Sequence, residues 1–404
     1  MVQVTETTGI KRKRRRKKLV VLSLFLMLCL FLWQAPPRLF SVLNRDVWGD
    51  QIDQKKQQTY HGVITLWHID NFEGGKGSRT AWLNARLSAI ERRNEGIFVA
   101  VKTMTPEKAK AALASGSTLP DLISYGSGMF ENTDLFMQLP QELLATVPPK
   151  LAAAGAGYAL PWCYGAYCIL ADQALVAKHA DGALNAETLP LLLSKLGGVT
   201  KYGKTTRDVF ALGIPENGLV PSAAAAKLLA GGSAGSEFSL RANGSSETLW
   251  EAYNYSKEIC MLLGTQRDLC RLETAASREK ARASLMLPLP GYTDLVQCIS
   301  VLKNDNEKEL KIIYAVLEYL LSTDVQASLT DIGMFPASLA AAENAHYDNE
   351  MLDTLFRAVR QSDPVIPDVF VKAKDRAADR DALIQYLISG KNQEVLLKYS
   401  DKTG

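Results

Sequence analysis

Between Val63 and Tyr125 the chain alternates short β-rich runs with apolar-striped helical stretches, and few architectures accommodate that alternation. Val63 to Ile69 (VITLWHI) predicts a strand, followed by a glycine-rich turn. A helix is then expected from Ser78 to about Asn94, capped by Ser78 and carrying Leu83, Leu87 and Ile90 on one face. Ile97 to Val101 predicts a second strand, Thr105 and Pro106 open a helix closed by Gly116, and Asp121 to Tyr125 predicts a third strand. Such a βαβαβ succession calls for right-handed crossovers and a parallel sheet, whose ligands bind beyond the carboxyl ends of the strands. The loops there run over 70–79 and 126–129. The first is rich in glycine but matches neither GxxxxGK nor GxGxxG, so its glycines fit a helix-capping turn as well as a ligand loop.

Further along, 157–170 is a β-rich run with an aromatic cluster (Tyr158, Trp162, Tyr164, Tyr167), readable as one strand leaving a first lobe for a second. Residues 180–248 are rich in Ala, Gly, Ser and Leu, and little but a short helix near Leu189 to Leu196 can be read there. Ile259 to Leu263 predicts a strand ending in a loop over 264–268. Ser284 to Leu289 leads into a turn at 290–294, and Val296 to Val301 predicts another strand. Asn304 with Glu307 has the spacing of a capping box opening a helix to Leu321; Thr323 with Gln326 repeats that signal before Gly333.

The amino-terminal end has a different character. Lys11 to Lys18 is an unbroken cationic run that abuts fifteen largely apolar residues, Leu19 to Trp33. The positive-inside bias places the basic run in the cytoplasm and the bulk of the chain across the membrane. The apolar length suits either a short anchor or a long signal peptide. The exit from Phe31 to Pro37 offers no A-x-A pattern of small residues for cleavage, which favours an anchor. Net charge is +3 overall but +7 over the first 18 residues, leaving −4 on the remainder, which argues against nucleic acid as a partner. Of six cysteines, Cys29 lies in the apolar stretch and five follow it, so no disulfide framework is implied. Cys163 and Cys168 sit too far apart along one strand to bridge. Cys260 and Cys270 flank a loop and are compatible with either a bridge or two free thiols. The four histidines are scattered, and no metal-ligand spacing occurs.

A series of short motifs resembles the family-1 extracellular solute-binding proteins of ABC importers, the group that contains maltodextrin-binding protein. The series comprises Ile64-Thr65-Leu66-Trp67, Leu113-Ala114-Ser115-Gly116 with Pro120-Asp121, Leu160-Pro161-Trp162, the strand from Ile259 to Gly264, Pro288 to Gly291, and 322–329 followed by Gly333 and Pro336. The resemblance covers roughly 62–340. It implies a two-lobed α/β periplasmic-binding-protein-like fold (type II) with parallel-rich sheets flanked by helices, following an amino-terminal transmembrane helix. The expected organisation is a basic tail at 1–18, an anchor at 19–35, a stalk at 36–60, lobe 1 at 61–162 plus 294–333, and lobe 2 at 163–293 plus 334–404. By position, the resemblance implies ligand contacts from Trp67, His68, Asp70 and Glu73 on the first strand and its loop. It adds Tyr125 and Ser127 at the third strand, Trp162 and Tyr164 on the crossing strand, Gln266 and Arg267 in the second lobe, and Tyr292 in the return turn. Arg267 stands where the family usually stacks a Trp. An arginine there can stack on a sugar, bond its hydroxyls, or pair with a carboxylate or phosphate. The bland readings are burial for Trp67 and helix capping for His68 and Asp70.

The expected function is that of a membrane-tethered monomer. It would capture a small polar solute, a sugar or oligosaccharide, between its lobes and deliver it to ABC permease subunits, without cofactor, metal or catalytic group. A sensory binding module on the same fold is the alternative. A surface hydrolase fits less well, since neither GxSxG nor HExxH occurs.

Overall fold

The computed structural model describes residues 62–399, apart from 93–95, 117–118, 203–204 and most of 217–237. The basic run, apolar stretch and stalk therefore lie outside the described residues. Among the described residues, no helix is long and apolar enough to cross a membrane.

The opening alternation forms as expected. Strands β1 (Gly62–His68), β2 (Ile97–Thr103) and β3 (Leu122–Gly126) pair in parallel, with β1 in the middle. Ser78 caps the helix Arg79–Glu91 by accepting from the Ala81 N–H at 3.2 Å. Thr105 caps Pro106–Ser115, which ends on Gly116 in the left-handed region at φ 62°. The aromatic run at 157–170 is not one strand. It divides into β4 (Leu160–Tyr164) and β5 (Tyr167–Asp172), and each joins a different six-stranded sheet.

In the first sheet the order is β12-β4-β11-β3-β1-β2, where β11 is Val296–Val301 and β12 is Phe335–Pro336. In the second, β10-β5-β9-β7-β6, the strands are Ser284–Leu289, β5, Ile259–Thr265, Thr205–Gly213 and Gly198–Tyr202, with β8 (Leu240–Arg241) beside β7. Both sheets are mixed, which corrects the parallel-rich expectation. Strand β11 runs antiparallel to both β3 and β4, and β5 runs antiparallel to both neighbours. The cause is the double crossing between sheets: a chain that leaves along β4 and returns along β11 must place those strands in opposite directions.

Each sheet, with its helices, makes a lobe. In the first, Ile64, Leu66 and Val301 pack against Leu83, Leu87, Val316 and Leu320; in the second, Met261 and Leu263 pack against Leu189, Leu192 and Leu383. Burial of each such side chain contributes about 1.5–3 kcal/mol. A further apolar cluster runs from Tyr125 and Phe136 through Tyr164 to Leu262, Leu269 and Phe356, so apolar packing is continuous from one sheet to the other. The crossing segments lie side by side, with the Gly165 N–H donating to the Leu295 carbonyl at 2.7 Å and Thr293 Oγ1 donating to the Gly165 carbonyl at 2.7 Å.

Two start signals act differently from expectation. Asn306, not Asn304, caps the helix Glu307–Leu321. Ser322 rather than Thr323 precedes the helix Thr323–Ala327, and Gln326 is fully buried, its amide donating to the Trp162 and Leu320 carbonyls and accepting from Ala337 and Ser338. The five cysteines beyond Cys29 are all free and buried, which settles Cys260 and Cys270 as thiols.

Candidate functional site

The loop after β1 carries the first lobe to the second. His68, at the end of the strand, is fully buried, its Nδ1 3.0 Å from Ser124 Oγ and its Nε2 3.0 Å from Asp70 Oδ1. Arg79, from the helix that the loop enters, donates through Nε to the same Asp70 oxygen at 2.9 Å, bonds the Phe72 carbonyl and lies 4.3 Å over the Phe72 ring. Burial pushes the His68 imidazole below its ordinary value, against the pull of Asp70. Burial alone would raise Asp70, but the His68 hydrogen bond and the Arg79 charge outweigh it and hold the carboxyl at about 2. The triad braces the loop.

Both shifts are depressions, so both groups stabilise the fold above their unfolded values and lose that contribution on acidification. Unfolding by urea is expected to become easier below about pH 6.5 as His68 is forced to charge, and again from about pH 4 to 2 as Asp70 is protonated. His68→Gln should flatten the first of these phases; an unchanged profile in that variant would remove His68 as its source.

Beyond the triad, Glu73 reaches the second lobe. Its Oε1 lies 3.1 Å from Arg271, its Oε2 accepts from Ser246 Oγ at 2.9 Å, and its carbonyl accepts from Gln266 Nε2 at 3.3 Å. Arg271 also pairs with Asp268 at 3.0 Å. Arg267 donates to the Gly75 carbonyl. Gly75 itself packs against Ile332 and Gly333, where a Cβ would lie 2.3 Å from both carbonyl oxygens. Gln266, Arg267, Asp268 and Arg271 come from the helix Gln266–Ala276, where a loop was expected. Its signal was present: Thr265 and Asp268 form a capping box directly at the end of β9.

Besides His68 and Asp70 in the triad, the expected ligand residues lie at different places. Glu73, Gln266 and Arg267 meet at the seam between lobes. Trp67, Tyr125, Trp162, Tyr164 and Tyr292 are buried and packed on other side chains. Trp162 stacks on Trp82 at 5.3 Å and donates to Ser124 Oγ; Tyr125 bonds Ser300 Oγ at 2.7 Å between Phe130 and Phe136; Tyr164 meets Phe335 edge-on; Tyr292 stacks on Tyr167. Ser127 donates to the Asp368 carbonyl, and its own carbonyl accepts from Asn71 and Arg376.

A cavity of about 260 Å³ opens at the seam. Lys76 borders it from the first lobe; Arg267, Arg271, Arg278 and Lys280 border it from the second, with Trp250 and Tyr255 beside them. Apart from Arg267, none of these was singled out from the sequence, because they come from separate segments that only the fold brings together. Cys270 also lines the cavity, and burial, reinforced by Glu273, pushes its thiol up to about 11 despite Lys76 and Arg267. The thiol is therefore protonated at neutral pH. Among the described residues, no group of His, Cys, Asp and Glu has the arrangement of a metal site.

No family model matches the chain, and no curated protein matches it by sequence. Solved structures do match. The GacH receptor of Streptomyces glaucescens GLA.O, known unliganded and with acarbose, superposes with a TM-score of 0.57 at 16% identity over 84% of this chain and 97% of its own. A putative oligosaccharide periplasmic-binding protein from Synechococcus sp. MITs9220 gives 0.58 at 14% identity, covering 83% and 96%. The maltose/maltodextrin-binding domain MalE of Bdellovibrio bacteriovorus, bound to maltotriose, gives 0.52 at 17% identity, covering 84% and 97%. The described chain therefore has the fold of sugar- and oligosaccharide-binding proteins of ABC transporters, as the sequence motifs implied.

Proposed function

We propose that the protein is an extracytoplasmic receptor for a carbohydrate, held at the membrane by its amino-terminal segment and passing its ligand to an ABC permease. The observation that carries this reading is the seam: two lobes joined by paired crossing segments meet over a cavity bordered from both sides. Lining drawn from both lobes makes closure sensitive to what the cavity holds, which a permease can read as a change of shape. The proposed lobes carry β4 and β11 in one sheet and β5 and β10 in the other, and β12, assigned from the sequence to lobe 2, joins the sheet of lobe 1. Arg267 is the proposed ligand-facing residue from the expected set; Glu73 and Gln266 join the lobes beside it, and the buried aromatics shape the lobes. The chemistry required is binding alone, so no enzymatic step is proposed.

A thermal-shift screen of the full chain against mono- and oligosaccharides, amino acids and polyols tests the reading, because a ligand bound only by the folded state raises the melting temperature. A saccharide at a hundredfold excess over its Kd should contribute about 2.7 kcal/mol of stabilisation. Stabilisation by an amino acid alone, or saccharide turnover, would replace the proposal with another class of protein.

A further inference from the structure

The cavity at the seam is bordered by five cations and by no carboxylate. Arg271 is neutralised by Glu73 and Asp268, at 3.1 and 3.0 Å. The other four are not. Arg267 donates to a neutral carbonyl, and among the described residues Lys76, Arg278 and Lys280 form no ion pair. Exposed cations scattered over a surface need no explanation. Here, however, one comes from the loop of the first lobe and three from one helix of the second and the residues just after it, converging on one concavity. Trp250 and the half-exposed Tyr255 add aromatic rings to the same wall. Aromatic rings bury the apolar face of a sugar, and guanidinium groups bind anionic oxygens in paired hydrogen bonds.

Resting on the receptor reading above, we infer that the ligand is an anionic saccharide, one sugar ring of which carries a carboxylate or phosphate held by Arg267, Arg278, Lys280 and Lys76. A volume of about 260 Å³ suits a single charged ring, with any further sugars extending out of the cavity.

Isothermal titration of the full chain with galacturonate, digalacturonate, glucose 6-phosphate, maltose and inorganic phosphate tests this. An acidic saccharide is expected to bind at least tenfold more tightly than maltose, and its affinity should fall as salt is raised. Comparison of galacturonate with glucose 6-phosphate identifies the anionic group. Arg278→Ala and Lys280→Ala alter exposed side chains and should leave the melting temperature unchanged, yet each should weaken the acidic ligand about tenfold. Binding of maltose as tight as that of the acids, unaffected by these variants, would overturn the anionic assignment and leave the receptor reading standing. Inorganic phosphate binding as tightly as the sugar phosphate would reduce the cavity to an anion-binding surface and overturn it as well. If no saccharide of either kind binds, the receptor reading falls with it.

Discussion

Arg376→Ala is expected to cost about 3–5 kcal/mol of folding stability, the usual penalty for stranding a buried charge. Asp294, in the return crossing, is almost inaccessible; its Oδ2 pairs with Arg376 at 2.9 Å and its Oδ1 accepts from Tyr167 OH at 2.6 Å. Arg376 also donates to the Ser127 carbonyl, so one guanidinium joins the helix Ala373–Ser389, the crossing segment and the loop after β3. Its removal takes from the buried Asp294 carboxylate, which lies beside Tyr167 and Tyr292, the guanidinium with which it pairs. The Tyr167 hydroxyl, held above its ordinary value by burial and then by Asp294, remains a donor but cannot neutralise the carboxylate. Replacing both partners at once, Arg376→Met with Asp294→Leu, should cost less than either single change, because both charges of the buried pair are then removed together. Urea denaturation of the three variants and the parent measures this. A loss below about 1 kcal/mol for Arg376→Ala would mean that water reaches the pair and that the crossing is not sealed.

This junction was hard to read from the sequence, and the reason is instructive. Local signals that act within a few residues were legible: the caps at Ser78 and Thr105, the left-handed Gly116 and the apolar stripe of Leu83 and Leu87 all form. The change of sheet at 157–170 was visible as an aromatic run, but the break at Gly165 was not, since it depends on a partner distant in sequence. Gln266 takes the space where a Gly165 Cβ would lie, 2.3 Å from its Oε1, and that oxygen accepts from the Ala166 N–H. The aromatic candidates show the same limit from the other side. Trp67, Tyr125 and Trp162 have residue types that suit a sugar platform, yet both faces of the first sheet are covered, so these rings serve as core. An aromatic residue on a strand reads identically in the two cases. Glu73 and Arg267, placed by the family resemblance, lie outside the core, as charged residues beside a glycine-rich turn and a strand end usually do.

Arg271→Ala and Glu73→Ala remove opposite ends of one interlobe pair and are expected to behave differently. Arg271 serves two carboxylates, Glu73 across the seam and Asp268 on its own helix. Asp268 is nearly inaccessible, at 2% exposure, and burial already raises its carboxyl above the ordinary value despite Arg271. Arg271→Ala therefore leaves a buried carboxylate without its cation, at an expected cost of about 3–5 kcal/mol. A raised carboxylate means that the folded state holds its proton more tightly than the unfolded chain does, so this cost should grow as pH rises above the ordinary carboxylate range and shrink as it falls toward it. Unfolding measured at pH 5 and pH 8 should show the larger deficit at pH 8. Glu73 is partly exposed, at 38%, and its removal leaves Arg271 paired with Asp268, so the stability cost should stay below about 1 kcal/mol. What Glu73→Ala removes is a bond between lobes, made to both Arg271 and Ser246. Opening is the motion that this bond resists, and an equilibrium between two conformations responds to any contact made in only one of them. Small-angle scattering of Glu73→Ala should therefore give a larger radius of gyration than the parent, and a saturating ligand should reverse the increase. If the radius is unchanged while Arg271→Ala loses stability as expected, the pair supports the second lobe alone and closure is held by the apolar contacts that cross the seam.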